Sequence, residues 1–243
     1  FALKKGSMLK ADRRLVYSLQ NESADIYALN IRMDEGSYVF DVKLKNSLIQ
    51  GIRLHMGGMH NVENAVAAIA VAHELGIDHS AIAAAVESFK GVKRRFEYII
   101  NNNRMVFIDD YAHHPEELSA LITGVKTLFK NRRCTIIFQP HLYSRTKNFA
   151  EGFARSLDLA DAVIVLPVYP ARELPEEGVT SALITDRMKH TNKRLLSKEE
   201  LLPYMEHEFR TGVSDEFGEV VITAGAGDID KLVEPLKELL SKY

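Results

Sequence analysis

The first third of the chain alternates apolar and polar residues in the manner of half-buried strands. In "SYVFDVKLKN", Phe40, Val42 and Leu44 alternate with Asp41, Lys43 and Lys45, a period of two that turns one set of side chains toward a core. "DIYALNIRM" precedes it, and Asp34-Glu35-Gly36 supplies turn chemistry between the two, which predicts an antiparallel pair. After Gly57-Gly58 the period lengthens. Val62, Ala65, Val66, Ile69 and Ala72 trace one face of a helix that Gly76 is placed to stop. A second short helix, "HSAIAAAVESF", follows and ends at Gly91.

From Val92 onward the pattern becomes strand, helix, strand, helix. "MVFI", "TIIF", "AVIVLPV" and "EVVIT" are short, nearly continuous apolar runs, as strands buried on both faces require. After "MVFI", Leu118, Leu121, Ile122, Val125, Leu128 and Phe129 form a helical stripe; after "TIIF", Phe149, Phe153 and Leu157 do the same. "SKEELLPYMEHEF" opens with Ser197 and Glu200 in capping-box spacing, and "DIDKLVEPLKELL" closes the chain. This alternation predicts an α/β fold with a doubly wound, Rossmann-like parallel sheet. It follows an α/β segment with antiparallel strands, and the boundary falls near Lys93, dividing residues 1–93 from 94–243.

Composition narrows the function classes. A net charge of −2 gives no field of one sign to attract nucleic acid or a membrane surface. No apolar run reaches the roughly 18 residues that a spanning helix needs, and the start lacks a signal core with a small-residue cleavage site. The single Cys134 allows no internal disulfide and reads as apolar filler at the start of a strand. That fits a reducing, cytoplasmic compartment. The chain begins with Phe rather than Met and is read as a fragment or a processed product.

The polar residues collect at strand ends. "IDDYAHHPEE" follows the "MVFI" strand. Pro115 suits the first helical position and Glu116 and Glu117 the first turn, so these three are structural. Asp109, Asp110, Tyr111, His113 and His114 then lie at the carboxyl end of a strand, where open α/β sheets bind ligands. "QPHLYSRTKN" brings Gln139, His141, Tyr143, Arg145 and Lys147 to the same edge, and "YPARELPEEG" follows the next strand. Three such loops predict one crevice. For zinc the spacing is wrong: there is no Cys pair and no His-Glu-x-x-His. Mg²⁺ held mostly through a substrate phosphate remains open, because it needs only one or two carboxylates. Ser144 lies in no Gly-x-Ser-x-Gly elbow. Gly225 and Gly227 of "TAGAGDID" fail the dinucleotide fingerprint at Asp230 and read as a tight turn, and no P-loop motif occurs. In the first segment His60, Asn61 and Asn64 sit within one turn of a helix start. Asn61 reads either as an N-cap or, with Asn64, as an amide reaching a planar base. Arg94 and Arg95 stand at the domain junction, where arginines suit phosphate.

Together "GMHNVENAVAA", "GVKRRFE", "DDYAHHPEE", "FQPHLYSRT", "ADAVIVLPVYPARE" and "GAGDI", in that order, resemble the Mur ligase superfamily, and the "QPHxYxR" segment is similar to its alanine-adding members. The resemblance covers the chain from about Gly57 to Asp230. It implies that residues 1–93 are the second half of the central ATP-binding domain and 94–243 the complete C-terminal domain. The P-loop, the UDP-sugar domain and the main Mg²⁺ ligands are then expected upstream, and this chain alone is not expected to catalyse. The implied reaction is ATP-dependent ligation of L-alanine to UDP-N-acetylmuramate through an acyl phosphate, in peptidoglycan synthesis. His60, Asn61 and Asn64 are implied to contact ATP, Arg95 its phosphates and Asp110 its ribose or neighbouring groups. Tyr111, His113, His141 and Arg145 are implied to shape the alanine site, with Arg95, Asp110 and His113 as the catalytic set and closure about the junction near Gly91–Arg95. Leu142 stands where many relatives carry Arg, which puts a second carboxylate contact in doubt. Asp110→Ala and Arg95→Ala are expected to cut turnover with little change in melting. The competing readings are a murein-peptide recycling ligase and a non-catalytic nucleotide- or peptide-binding module. A nicotinamide oxidoreductase is the weakest, because the glycine fingerprint fails.

Overall fold

In the computed structural model, residues 14–243 are described, apart from 20, 35 and 213–216. The chain divides into two compact units, Phe1–Lys90 and Gly91–Tyr243.

In the first unit, β1 (Tyr17–Ser18) runs parallel to β2 (Ile26–Asp34). β2, β3 (Ser37–Lys43) and β4 (Leu48–Leu54) form an antiparallel meander. Phe40, Val42 and Leu44 are fully buried, as their period of two predicts. Two helices follow, α1 (Met59–Glu74) and α2 (His79–Ser88). Val62, Val66, Ile69 and Ala70 form the buried face of α1. Gly76 takes φ 77° just past its end, a left-handed stop that suits glycine. Asp78 caps α2 by accepting the Ser80 N–H at 2.8 Å. That helix ends at Ser88, three residues before the predicted Gly91.

The second unit is a six-stranded sheet: β5 (Glu97–Asn101), β6 (Met105–Asp110), β7 (Arg133–Phe138), β8 (Ala162–Val165), β9 (Lys193–Leu195) and β10 (Glu219–Ala224). The order in space is β5-β6-β10-β7-β8-β9, with β5 antiparallel to β6 and every other pair parallel. The helices are α3 (Pro115–Leu128), α4 (Tyr143–Leu157), the short α5 (Ala182–Thr185), α6 (Lys198–Gly212) and α7 (Val233–Leu240), which continues a 3₁₀ turn at Asp228–Leu232.

Each central strand feeds two cores. Val106, Ile108, Ile136, Phe138, Val163, Val165, Val220 and Ile222 pack with Leu118, Ile122, Phe153 and Leu157 of α3 and α4. Met105, Phe107, Ile137, Ile164 and Val221 pack with Leu201, Met205, Leu236 and Leu240 of α6 and α7. Helices on both faces are why the strands read as unbroken apolar runs. Burying one such Phe contributes about 2–3 kcal/mol. Cys134 lies fully buried in β7, where burial, with Asp161 adding to it, pushes its thiol up to about 12. The Ser197–Glu200 capping box forms as its spacing predicts, with Ser197 N–H on the Glu200 carboxylate at 2.8 Å and Glu200 N–H on Ser197 Oγ at 3.2 Å. Among the described residues no helix is long and apolar enough to cross a membrane.

Phe149 departs from the helical stripe assigned to it. It is 41% exposed, because α4 kinks there (φ −118°, ψ 15°) and turns the ring out of the core.

Candidate active site

Three parallel strands end at one level. Ala224 of β10 pairs with Asp110 of β6 on one side and with Phe138 of β7 on the other. β6 and β7 lead to α3 and α4 on one face, whereas β10 leads to α7 on the opposite face. Neighbouring loops that depart in opposite directions leave a crevice between them.

At the end of β6 the Asp110 carboxylate is held by backbone. One oxygen accepts the Phe96 N–H and the other the Ala112 N–H, both at 2.7 Å. Its neighbour Asp109 points the other way and is buried. Burial raises its carboxyl above the usual range, against the opposing pull of the Thr223 hydroxyl and Arg94. His113 Nδ1 lies 2.9 Å from the Tyr111 carbonyl. A carbonyl only accepts, so Nδ1 donates in this contact. The Glu117 carboxylate accepts the N–H groups of His113 and His114 at 2.9 and 3.1 Å. With Pro115 as the first helical residue, this is the helix-start role assigned to "HPEE".

At the end of β7, Gln139 is buried and satisfied. Its Oε1 accepts the Ile229 N–H at 2.9 Å and its Nε2 donates to Asp228 at 3.0 Å. Asp228 also pairs with Lys198. Burial opposes its charge, but the Lys198 and Gln139 bonds outweigh that and hold it below the usual carboxylate range. The glycines of "TAGAGDID" serve this packing. A Cβ on Gly225, already at φ 149°, would sit 2.7 Å from the Gln139 carbonyl oxygen; one on Gly227 would sit 2.7 Å from Tyr169. They are close-approach positions beyond the tight turn that the spacing implies.

His141 is stacked on Tyr169, with centroids 5.7 Å apart and planes at 20°, and it meets His113 edge-on at 6.2 Å. His113 in turn meets Tyr111 edge-on at 5.2 Å. Burial, then the charges of Arg145 and His113, hold the His141 ring below the ordinary histidine range. His141 Nδ1 and Arg145 Nη1 are both buried with no hydrogen-bond partner. Buried polar atoms are satisfied in the great majority of cases, so two such atoms at one strand end point to a ligand that supplies the partner.

The loop after β8 pins this region. Tyr169 N–H donates to the Pro140 carbonyl at 2.8 Å, and its carbonyl accepts the Leu142 N–H at 2.9 Å. Glu173 accepts Ser144 N–H at 2.9 Å and the Ser144 hydroxyl, bonds that lower its carboxyl below the usual range. Lys147 pairs with Glu176. The kinked Phe149 packs edge-on against His114 at 4.8 Å.

Asp110, Tyr111, His113, His141 and Arg145 are therefore brought together at the carboxyl ends of the strands. Arg95 is exposed and has no carboxylate partner among the described residues. The adjacent Arg94 is the engaged one: its Nε donates to Asp109 at 3.1 Å, and its Nη2 to the Gly225 carbonyl at 2.6 Å. Sequence reasoning also left Tyr169 and Glu173 without a role. The only signal for them was their place in a polar loop after a strand.

In the first unit His60, Asn61 and Asn64 do share the start of α1. The N-cap is Gly58, not Asn61. Gly58 takes φ 87°, and a Cβ there would lie 2.6 Å from the His60 ring. Asn61 sits inside the first turn and donates Nδ2 to the Gly57 carbonyl at 2.7 Å. Its Oδ1 stays available as an acceptor, and His60 and Asn64 are exposed. His60, Asn61 and Asn64 offer an imidazole and two amides, groups that can meet a planar base. Among the described residues no group of three or more His, Cys, Asp or Glu is placed to hold a metal ion.

Comparison with known proteins gives two family matches. Residues 94–227 match the Mur ligase glutamate ligase domain, and residues 3–72 match the Mur ligase middle domain. The chain is 46% identical over 220 residues to the UDP-N-acetylmuramate–L-alanine ligase of Christiangramia forsetii, covering 90% of this chain and 47% of that protein. It is 45% identical over 224 residues to the enzyme of that name from Porphyromonas gingivalis W83, covering 92% and 48%. The crystal structure of the UDP-N-acetylmuramate–alanine ligase of Thermotoga maritima superposes with a TM-score of 0.72 at 27% identity, covering 94% of this chain and 48% of that one. The chain spans about half the length of the curated relatives it matches.

Proposed function

The chain belongs to the Mur ligase family, and from that premise we propose that its protein joins L-alanine to UDP-N-acetylmuramate with ATP in peptidoglycan synthesis. The observation that carries this reading is the pair of buried, unpartnered polar atoms at the end of β7, Arg145 Nη1 and His141 Nδ1. A small carboxylate is the partner they lack. The names of the relatives at 45–46% identity support L-alanine as its source.

Arg145 takes the amino-acid carboxylate, where a planar guanidinium gives a charge-assisted bond with fixed orientation. His141, held by Tyr169 and His113, stays neutral because its ring is pushed below the ordinary range. A neutral ring adds no second fixed charge beside Arg145, and Leu142 adds none either. Binding therefore rests on one guanidinium. Tyr111 and His113 close the other side of this subsite. The incoming ammonium must lose a proton before its nitrogen can attack, and Nε2 of His113 is the base we assign to it. The C–N bond then forms as phosphate leaves the acyl carbon.

We assign nucleotide contacts to His60, Asn61 and Asn64 in the first unit, and to Arg95 and Asp110 in the second. Bound ATP supplies the phosphoryl group that turns the muramate carboxylate into an acyl phosphate. Mg²⁺ carried in with the nucleotide phosphates would offset the charge that develops on the transferring phosphoryl group.

The test is phosphate release by the full-length protein given ATP, UDP-N-acetylmuramate and one amino component at a time. L-Alanine should support release and a murein tripeptide should not. Release with the tripeptide alone would make the protein a recycling ligase, and release with neither would leave a binding module.

A further inference from the structure

The segment leading into β5 holds two non-glycine residues in the left-handed region within three positions, Arg94 at φ 59° and Phe96 at φ 50°. Such backbone persists only where its surroundings over-determine it. Here the surroundings are specific. Arg94 N–H donates to the Glu97 carboxylate at 2.7 Å, and its carbonyl accepts the Tyr111 N–H at 2.7 Å. Its guanidinium bonds Asp109 at 3.1 Å and the Gly225 carbonyl at 2.6 Å, and lies 5.3 Å over the Tyr111 ring. Asp109 is anchored in turn by the Thr223 hydroxyl at 2.7 Å. One side chain thus ties the lead-in segment to the ends of β6 and β10. The left-handed turn it secures aims the Phe96 N–H at Asp110 Oδ2, at 2.7 Å.

We propose that Arg94 is a positioning residue of the site: it touches no ligand, but holds the Asp110 carboxylate and the Tyr111 ring in the orientation in which they meet one. Its neighbour Arg95 is exposed and free to act on a ligand directly. A lysine cannot do the work of Arg94, because a point charge lacks the planar fork that reaches a carboxylate and a carbonyl at once while stacking on a ring. The geometry stands without the proposed reaction; only the identity of the ligands rests on that reading.

The experiment uses the full-length protein with Arg94→Lys, Arg94→Ala and the double variant Arg94→Ala/Asp109→Asn. Amide hydrogen exchange should speed up by about tenfold or more at Phe96 and Ala112, whose acceptor is the Asp110 carboxylate, and at Tyr111, whose acceptor is the Arg94 carbonyl. Amides of β7 and β8 should keep their protection. The KM values for ATP and L-alanine should each rise about tenfold, with that for UDP-N-acetylmuramate unchanged. Removing the charge of Asp109 in the double variant should not restore these values if Arg94 acts by position. Restoration would reduce Arg94 to a counter-ion and overturn the proposal. So would unchanged exchange at Phe96 and Ala112, or uniform loss of protection through the whole sheet. Arg94→Lys keeps a cation beside Asp109, so it reports on geometry even if Arg94→Ala does not fold. Should wild type show no L-alanine-dependent phosphate release, the functional reading fails while the exchange data still decide the role of Arg94.

Discussion

At the end of β6 a carboxylate has both oxygens occupied by backbone N–H groups. At the end of β7, separated from it only by β10, a half-buried imidazole and a half-buried guanidinium each carry one buried polar atom with no hydrogen-bond partner. The two strand ends lie at one level and face one crevice, yet their hydrogen bonding is opposite. Asp110 is held by its own fold and is in place before any ligand arrives. His141 and Arg145 are placed by packing and complete their bonding only with a partner. The contrast teaches that residues of equal chemical promise divide into those that brace a site and those that wait in it.

The largest expected effect tests the waiting side. Arg145→Ala in the full-length protein should raise the KM for L-alanine by about 10²-fold or more, since truncating one member of a buried charge pair typically costs 2–5 kcal/mol. Melting should hold or rise slightly, because a buried donor without a partner is removed. A marked drop in melting temperature would show that Arg145 braces the fold as Asp110 does.

The next effect tests the bracing side. Asp110→Ala leaves two backbone N–H groups without acceptors, at about 1–3 kcal/mol each, and should lower melting by several degrees as well as turnover. This corrects the expectation that Asp110→Ala would spare thermal stability, which the exposed Arg95→Ala should still do. Thermal scans of the two variants side by side would decide it, and equal melting would erase the distinction between the strand ends.

Acid sharpens the same comparison more gently. His141 titrates below the ordinary histidine value in the folded state, so between the two values the unfolded chain binds more protons. Stability should therefore fall as pH drops through that window, starting from the ordinary value near 6.5. His141→Gln should flatten this part of the melting-versus-pH curve, and an unchanged slope would contradict it. The smallest effect belongs to Phe149. Its edge contact with His114 is worth about 0.5–1.5 kcal/mol, so Phe149→Ala should move melting by only a few degrees. A core-sized loss would mean that the ring is buried in the intact protein.

Much of the fold was legible because it is local. Strands buried on both faces must be apolar throughout, helices must repeat near 3.6, and Ser197–Glu200 and Pro115–Glu117 are start signals that need no distant partner. Elements without such a signal escaped: β4, half exposed and interrupted by Gly51; β5, an edge strand; and β9, only three residues long. The site was legible as a set of residue types at strand ends, and Tyr111, His113, His141 and Arg145 do meet there.

By itself the sequence determined the kinds of element, the carboxyl-end address of the polar loops and the absence of a dinucleotide fingerprint, since each depends on neighbours within a few positions. Only the tertiary structure decided that β10 lies between β6 and β7, because an apolar run does not state which strand it pairs with. Only the fold separated Arg94 from Arg95 and Asp109 from Asp110. Adjacent residues of one type differ in where the backbone turns them, and that is set by contacts from Gly225 and Thr223, more than a hundred residues away. The open bonding of His141 and Arg145 belongs to the same class: a missing partner becomes visible only when every nearby partner has been placed.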